Sequence, residues 1–123
     1  MNSLLSETKE ALSKHGYSLE DVESVQSEGL GMTVLHFMKL TENVYFEPME
    51  LGNPHVATDL VILMLDGSWF EREIGFDENK KAFERWAFRK KPPFEKPNNA
   101  LVKQIIVPYG KAGKLKEINH LKK

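Results

Sequence analysis

The chain has no cysteine among its 123 residues. This absence excludes a disulfide framework, a thiolate zinc site and a thiol nucleophile. Long apolar runs are also missing: the longest, residues 60–65, spans 6 residues, whereas a membrane-spanning helix needs about 20. The first residues show neither the basic start nor the apolar stretch of a signal peptide. We therefore expect a cytoplasmic protein that makes no use of a membrane.

The remaining composition is that of an ordinary globular domain. The hydrophobic share is 41% and the charged share 28%, both near the averages of folded proteins. The length suits a single domain. We predict one α+β domain over residues 1–109, followed by a lysine-rich C-terminal tail over residues 110–123.

The net charge of −1 conceals an uneven distribution of charged residues along the chain. Residues 1–79 carry 15 acidic and 4 basic side chains, whereas residues 80–123 carry 3 acidic and 13 basic ones. Such asymmetry is typical of proteins with charged partners or basic tails. The alternative is that the two halves lie against each other and partly neutralise.

The N-terminal part has the periodicity of helices. Apolar side chains recur at helical spacing over residues 3–15, and Gly16 is suited to end that helix. Ser18 and Asp21 have the spacing of a capping box, which predicts a short second helix carrying Leu19, Val22 and Val25. Another helix is favoured over residues 33–42, with Thr33 as its cap. Residues 43–57 are predicted to form a long loop.

Period-two alternation predicts an antiparallel meander next along the chain. Its strands cover residues 59–65, 69–76 and 82–88, and Asp66 with Gly67 is typical of a two-residue hairpin turn. Residues 101–107 are aliphatic and form a candidate fourth strand, and residues 115–121 a frayed helix. The predicted fold class is α+β, with N-terminal helices packed on a meander of three to four strands.

Candidate catalytic groups are few. The four histidines have no spacing typical of a metal or catalytic site. Glu71, Glu73 and Glu84 lie on neighbouring predicted strands, where two of them could form a carboxylate pair of the glycosidase kind. Cross-strand pairing with Arg72 and Arg85 explains the same residues without chemistry, and we favour it. We therefore predict a protein that is not an enzyme and has no catalytic residue, metal site or cofactor.

Several blocks of sequence together suggest an origin. They are Asp59-Leu60-Val61-Ile62, Trp69-Phe70-Glu71-Arg72-x-Ile74-x-Phe76-Asp77, Trp86-x-Phe88 with Pro92, and the earlier His15-Gly16-x-Ser18-x-x-Asp21-Val22. Over roughly residues 4–97, the chain resembles a group of small uncharacterised proteins encoded by phages and prophages of Gram-positive bacteria. The resemblance implies a mobile-element origin and action by binding and blocking a host protein. It supplies no catalytic residues.

Two sets of charged residues are candidates for binding a macromolecule. The acidic set could compete for a nucleic-acid-binding groove on a host protein, since complementary potentials speed and select association. It comprises Glu20, Asp21, Glu23, Glu28, Glu42, Glu47 and Glu50. The basic set could contact nucleic acid directly, with nearby aromatics available for stacking. It comprises Arg85, Arg89, Lys90, Lys91, Lys96, Lys111 and Lys114.

The sequence therefore favours a non-enzymatic, protein-binding inhibitor from a phage or mobile element. Its partner would be a host protein that handles nucleic acid, such as an antiviral nuclease of the CRISPR-effector kind. The alternative is a nucleic-acid-binding accessory protein that uses the basic C-terminal segment.

Overall fold

The computed structural model describes residues 2–27, 30–42, 45–46, 55–90, 102–107 and 112–119. In chain order the elements are β1 (Asn2–Ser3), α1 (Leu4–Lys14), a 3₁₀ turn (Leu19–Asp21), β2 (Val22–Ser27), β3 (Leu30–Met32), α2 (Val34–Thr41), β4 (Tyr45–Phe46), β5 (Val61–Met64), β6 (Trp69–Phe76), β7 (Ala82–Arg89) and α3 (Leu115–Asn119). The main sheet is antiparallel, with the order β3-β2-β5-β6-β7, and β1 pairs with β4 separately. The α+β class is confirmed, although the sheet has five strands rather than three to four.

Helix α1 forms where the periodicity predicts it. Ser3 caps its start by accepting a hydrogen bond from the backbone N–H of Ser6, and Gly16 ends it with a φ of +84°, which glycine adopts most readily. Leu4 and Leu12 are buried on the side that faces the sheet. Thr33 caps α2 in the same way, through the N–H of His36.

The predicted second helix is wrong. Ser18 and Asp21 do form a capping box, but it starts a three-residue 3₁₀ turn, after which the chain continues as strand β2. The pairing of β2 with β5 shifts between Val22 and Ser24, which marks a β-bulge. The extra residue puts Val22 and Val25 on one face of the strand although they are three residues apart. Apolar residues three positions apart are also typical of a helix, which is why the sequence predicts one here.

The turn between β5 and β6 also differs from the prediction. Met64 donates its N–H to the carbonyl of Ser68, so the connection has three residues, and Gly67 alone has a positive φ, +93°. This is the loop type in which a left-handed glycine follows a tight turn. Hydrogen bonds from Ser68 and then Tyr17 hold the pKa of Asp66 below its usual range. They also tie this turn to the segment that follows α1.

The predicted strand over residues 101–107 is wrong for the part described. Residues 102–107 make one isolated bridge, from Ile106 to Val56. Val102 and Ile105 are buried in the core instead. The aliphatic side chains of these residues pack in the core beside α2, and the residues do not pair as a strand of the sheet.

The C-terminal helix belongs to the same core. Leu115 and Ile118 of α3 are buried with the residues of the main sheet, and Asp59 accepts a hydrogen bond from the N–H of Leu115. Residues 112–119 of the predicted tail therefore contribute to the domain. None of the helices in the described ranges is of a length and apolarity to cross a bilayer.

Candidate functional site

Strands β6 and β7 form the longest hairpin of the sheet and present different side chains on their two faces. The register pairs Arg72 with Trp86 and Ile74 with Glu84 on the face that α1 covers. It pairs Glu73 with Arg85 on the opposite face. The alternation that predicts the meander is confirmed over both strands. The register also places two charged residues, Arg72 and Glu84, among apolar ones on the helix side.

The guanidinium of Arg72 links the sheet to α1. Nη1 donates to Oε2 of Glu7 at 3.1 Å, and Nη2 donates to Oε2 of Glu84 at 3.4 Å. The exposed fractions of the side chains are 1% for Arg72, 3% for Glu84 and 23% for Glu7. Burial raises the pKa of the Glu7 carboxyl above its ordinary value, although Arg72 acts in the opposite direction.

Glu84 also anchors the segment before β5. Its carboxylate accepts the backbone N–H groups of His55 and Val56 at 3.0 and 3.2 Å, and the Nδ1 atom of His55 lies 3.4 Å from it. A buried carboxylate with several donors and a cation is well compensated. The network therefore holds three parts of the chain together: α1, the β6–β7 hairpin and the segment at residues 55–57.

Trp86 lies between this network and α1. Its ring centroid is 4.8 Å from the guanidinium carbon of Arg72, which is a cation–π distance. Its indole N–H donates to the Thr8 hydroxyl at 3.0 Å, and that hydroxyl donates to the carbonyl of Leu4. Trp86 is therefore a buried core residue, and its ring is not available for stacking on nucleic acid.

A cleft of about 300 Å³ opens between α1 and β7. The residues that line it are acidic, basic, aromatic and aliphatic: Glu7, Glu10, Ala11, Lys14, His15, Phe70, Arg85 and Trp86. The ring of His15 closes one end by stacking on Phe88, with centroids 4.5 Å apart. The cleft combines an apolar floor with a charged rim, which suits a side chain of a ligand.

Strand β7 is the outermost strand of the sheet that the described residues form. The N–H of Asp77 donates to the carbonyl of Lys81, which sets the phase of the ladder. Because bonded and non-bonded pairs alternate in an antiparallel ladder, every second residue of β7 directs its backbone groups away from β6. These residues are Ala82, Glu84, Trp86 and Phe88.

The far end of the hairpin extends past the helices. Ile74 is 41% exposed and Phe76 65% exposed, both on the helix side of the sheet. Ala82 lies opposite Phe76. We call Ile74, Phe76 and Ala82 the hairpin patch. The polar turn after it is held by Asp77, whose carboxylate accepts two backbone N–H groups.

Ion pairs occupy the opposite face of the hairpin. Glu73 pairs with Arg85 at 2.9 Å, and Glu71 pairs with Arg89 at 3.0 Å. The guanidinium carbon of Arg85 lies 4.3 Å from the ring centroid of Phe83. Cross-strand pairing thus accounts for these carboxylates, while Glu84 lies on the other face. Across the described ranges, no three histidine, aspartate or glutamate side chains are grouped so that they could hold a metal ion.

The acidic candidates do not form one surface within the described residues. Glu20, Asp21 and Glu23 lie together near the β5–β6 turn, where the Leu65 N–H donates to the Asp21 carbonyl. Glu42 follows α2 at the opposite end of the sheet, because α2 runs from the end of β3 toward β4. Glu28, Glu47 and Glu50 lie outside the described residues.

The basic candidates are divided in the same way. Arg85 and Arg89 are on the outer strand in the ion pairs given above, Lys90 follows them and is exposed, and Lys114 is exposed before α3. Lys91, Lys96 and Lys111 lie outside the described residues. Of the basic candidates that are described, Arg85, Arg89 and Lys90 form a row along β7 and its end, and Lys114 lies apart from them.

No protein-family model, curated protein or solved structure matches the chain. The resemblance to phage and prophage proteins therefore stays a prediction.

The residues that build the cleft are not identified by the periodicity of the sequence. The helical periodicity of residues 3–15 gives Glu7 the pattern of a solvent-facing residue, yet its carboxylate pairs with Arg72, 65 positions away. One signal was available: Arg72 and Glu84 interrupt the apolar face of two strands, and charges on a buried face need partners.

Proposed function

We propose that the chain is a protein-binding inhibitor of phage or mobile-element origin that acts on a host protein without catalysis. The observation that carries the proposal is the hairpin patch. Its phenylalanine is 65% exposed at the end of a hairpin with eight residues in each strand. Exposed apolar groups with a polar rim are typical of protein-interaction sites.

The rigidity of the hairpin supports this function. All eight residues of β6 are paired with β7 in one continuous register, and the Arg72 network fixes the base of the hairpin against α1. A partner would therefore meet Phe76 in a fixed position, so little conformational entropy would be lost on binding. Large aromatic anchors of this kind supply much of the free energy at protein interfaces.

The charges on β7 indicate the class of partner. Arg85, Arg89 and Lys90 follow one another along the strand and its end. Arg85 and Arg89 lie on the face opposite the hairpin patch, so they favour a partner that also presents acidic residues to that face. Within that class, the resemblance to phage proteins favours a host defence nuclease, including a CRISPR effector.

Two matched variants test the proposal. Phe76→Glu places a charge in the hairpin patch. Leu65→Glu places the same charge in the β5–β6 turn, at the opposite end of β6 and at a residue that is equally exposed at 65%. The wild-type chain and both variants are immobilised and exposed to a lysate of a Gram-positive bacterium. We expect a host protein to be retained by the wild type and by Leu65→Glu, and lost with Phe76→Glu.

The retained protein is then assayed for its own activity with each variant. We expect inhibition by the wild type and by Leu65→Glu but not by Phe76→Glu. Retention that is the same for all three chains, or absent for all three at low salt, would contradict the proposal.

Nucleic acid is the alternative partner, and the basic row on β7 is the observation that favours it. A mobility-shift titration distinguishes the two functions. Binding that weakens steeply with salt, and that Arg89→Glu reduces, would support nucleic acid. No shift at about 50 mM salt would remove this alternative.

A further inference from the structure

We propose that the outer edge of β7 binds an extended segment of a partner protein as a sixth, antiparallel strand of the sheet. An apolar side chain of that segment enters the cleft between α1 and β7, and an acidic side chain on its other face meets Arg85. The inference rests on the proposed function, because it names how a protein partner would be held.

The outer edge of β7 presents backbone groups that an added strand could bond. The N–H and C=O groups of Glu84 and Trp86 point away from β6, and nothing in the described part of the chain accepts or donates to them. Phe88 differs, since its carbonyl accepts from Nη1 of Arg89. Unpaired edge groups of this kind are a template for strand addition.

Within the described residues, the edge has little of the usual structural protection. Residues 82–89 contain no proline, and the register with β6 runs from Ala82 to Arg89 without a bulge. Natural edge strands are otherwise short, bulged, interrupted by proline or covered. In the described residues the protection is charge: Arg85 and Arg89 point outward, and Glu84 points inward, where Arg72 neutralises it. An outward charge excludes only strands of the same sign.

The cleft lies where side chains of an added strand would point. An added strand lies about 4.8 Å beyond β7, and the residues that bond to Glu84 and Trp86 share their face of the sheet. Their side chains therefore point toward α1, where the cleft of about 300 Å³ lies over Ala11, Phe70 and Trp86. A valine or leucine side chain matches that floor.

Charge decides which strand is accepted. The side chain of Arg85 is 60% exposed, and its described ion pair uses Nε. Its terminal nitrogens have no hydrogen-bond partner within the described ranges, so they can bind a carboxylate of the added strand. A second copy of the chain would instead bring Arg85 and Arg89 against the same residues of its own β7. The occupant is therefore an acidic, apolar-alternating segment of another protein.

The test uses a labelled seven-residue peptide in which valine alternates with glutamate. We expect it to bind and to slow the exchange of the Trp86 backbone N–H by about tenfold when free peptide is ten times the Kd. N-methylation of its valines should abolish binding, because those N–H groups face β7. N-methylation of its glutamates should not. Equal effects of the two methylations would overturn strand addition.

Two variants examine the cleft and the charge. Ala11→Phe fills the cleft and should weaken peptide binding at least tenfold, whereas Ser13→Phe, on the other side of α1, should not. Arg85→Gln should remove the preference for glutamate over lysine at the alternating positions. Unchanged affinity with Ala11→Phe, or an unchanged preference with Arg85→Gln, would overturn the proposed mode.

The remaining outcomes separate this inference from the proposed function. A chain that retains its host protein through Phe76 but does not bind the peptide would refute strand addition alone. If the peptide binds in the expected pattern but no host protein is retained, the proposed inhibitor function is refuted and strand addition at β7 is supported. Slower exchange at Trp86 with rising protein concentration and no peptide would show that a second copy occupies the edge, against the proposal.

Discussion

Replacing Arg72 with methionine tests whether the buried ionic network determines the stability of the domain. The variant keeps a long, flexible side chain of similar length, so packing against Trp86 is largely retained. It removes the cation from Glu84, whose side chain is 3% exposed, and the partner from Glu7. Glu84 would then keep the two backbone N–H donors at residues 55 and 56 but no guanidinium.

The expected loss of stability differs according to whether one partner of the buried ion pair is removed or both are. Breaking a buried ion pair at one partner costs about 3–5 kcal/mol, because a buried charge loses its compensation. Domains of this size are stable by about 5–15 kcal/mol. We therefore expect Arg72→Met to remove between a fifth and most of the free energy of unfolding. A second change, Glu84→Gln, should restore at least about 1 kcal/mol, since the amide oxygen still accepts the backbone donors.

Urea denaturation followed by tryptophan fluorescence measures these differences. Arg85→Met is the matched control, because it removes an arginine–glutamate pair from the exposed face of the same hairpin and should cost less than about 1 kcal/mol. The reasoning would be refuted if Arg72→Met cost no more than Arg85→Met. It would also be refuted if the double variant were less stable than Arg72→Met alone.

Three further predictions concern single positions. Burial raises the pKa of Glu7, so the contribution of Glu7 to the free energy of unfolding should be greatest below pH 4.5 and should decline as pH rises through the folded-state pKa. Urea titrations at several pH values should show this decline for the wild type and not for Glu7→Gln. Parallel pH dependences of the two chains would contradict the prediction. Thr8→Val leaves the indole N–H of Trp86 buried without its acceptor and should lower the free energy of unfolding by about 1–3 kcal/mol, measured in the same way. Gly67→Ala should cost about 1–2 kcal/mol, because φ is +93° there, whereas a loss close to zero would show that the turn rearranges.

The parts of the fold that could be predicted are those whose signal lies within one element. The alternation in β6 and β7 reports which side chains face the helices, and the caps at Ser18 and Thr33 mark where helical turns begin. Strand β2 could not be predicted in this way. Its bulge between Val22 and Ser24 breaks the period of two, so the buried positions imitate a helix.

The candidate site was harder to predict because its contacts join distant parts of the chain. Arg72 stands out among the apolar residues of its face, so a buried partner was required. Two carboxylates meet it, one 65 and one 12 positions away. The periodicity of α1 gives Glu7 the pattern of a solvent-facing residue, since a helix face that borders a cleft has the same polar sequence as one in water.

The network and the cleft are parts of one arrangement. Glu7 belongs both to the ion pair with Arg72 and to the lining of the cleft, and Trp86 belongs to the floor of the cleft while its indole N–H binds Thr8 of α1. The separation of α1 from β7 is therefore set by the same contacts that bury the charges. A strand added at β7 needs that separation to be fixed before it binds, because a gap that had to form on binding would reduce the affinity. The Arg72 network would then matter for recognition as well as for stability, although its buried arginine is not exposed to the partner.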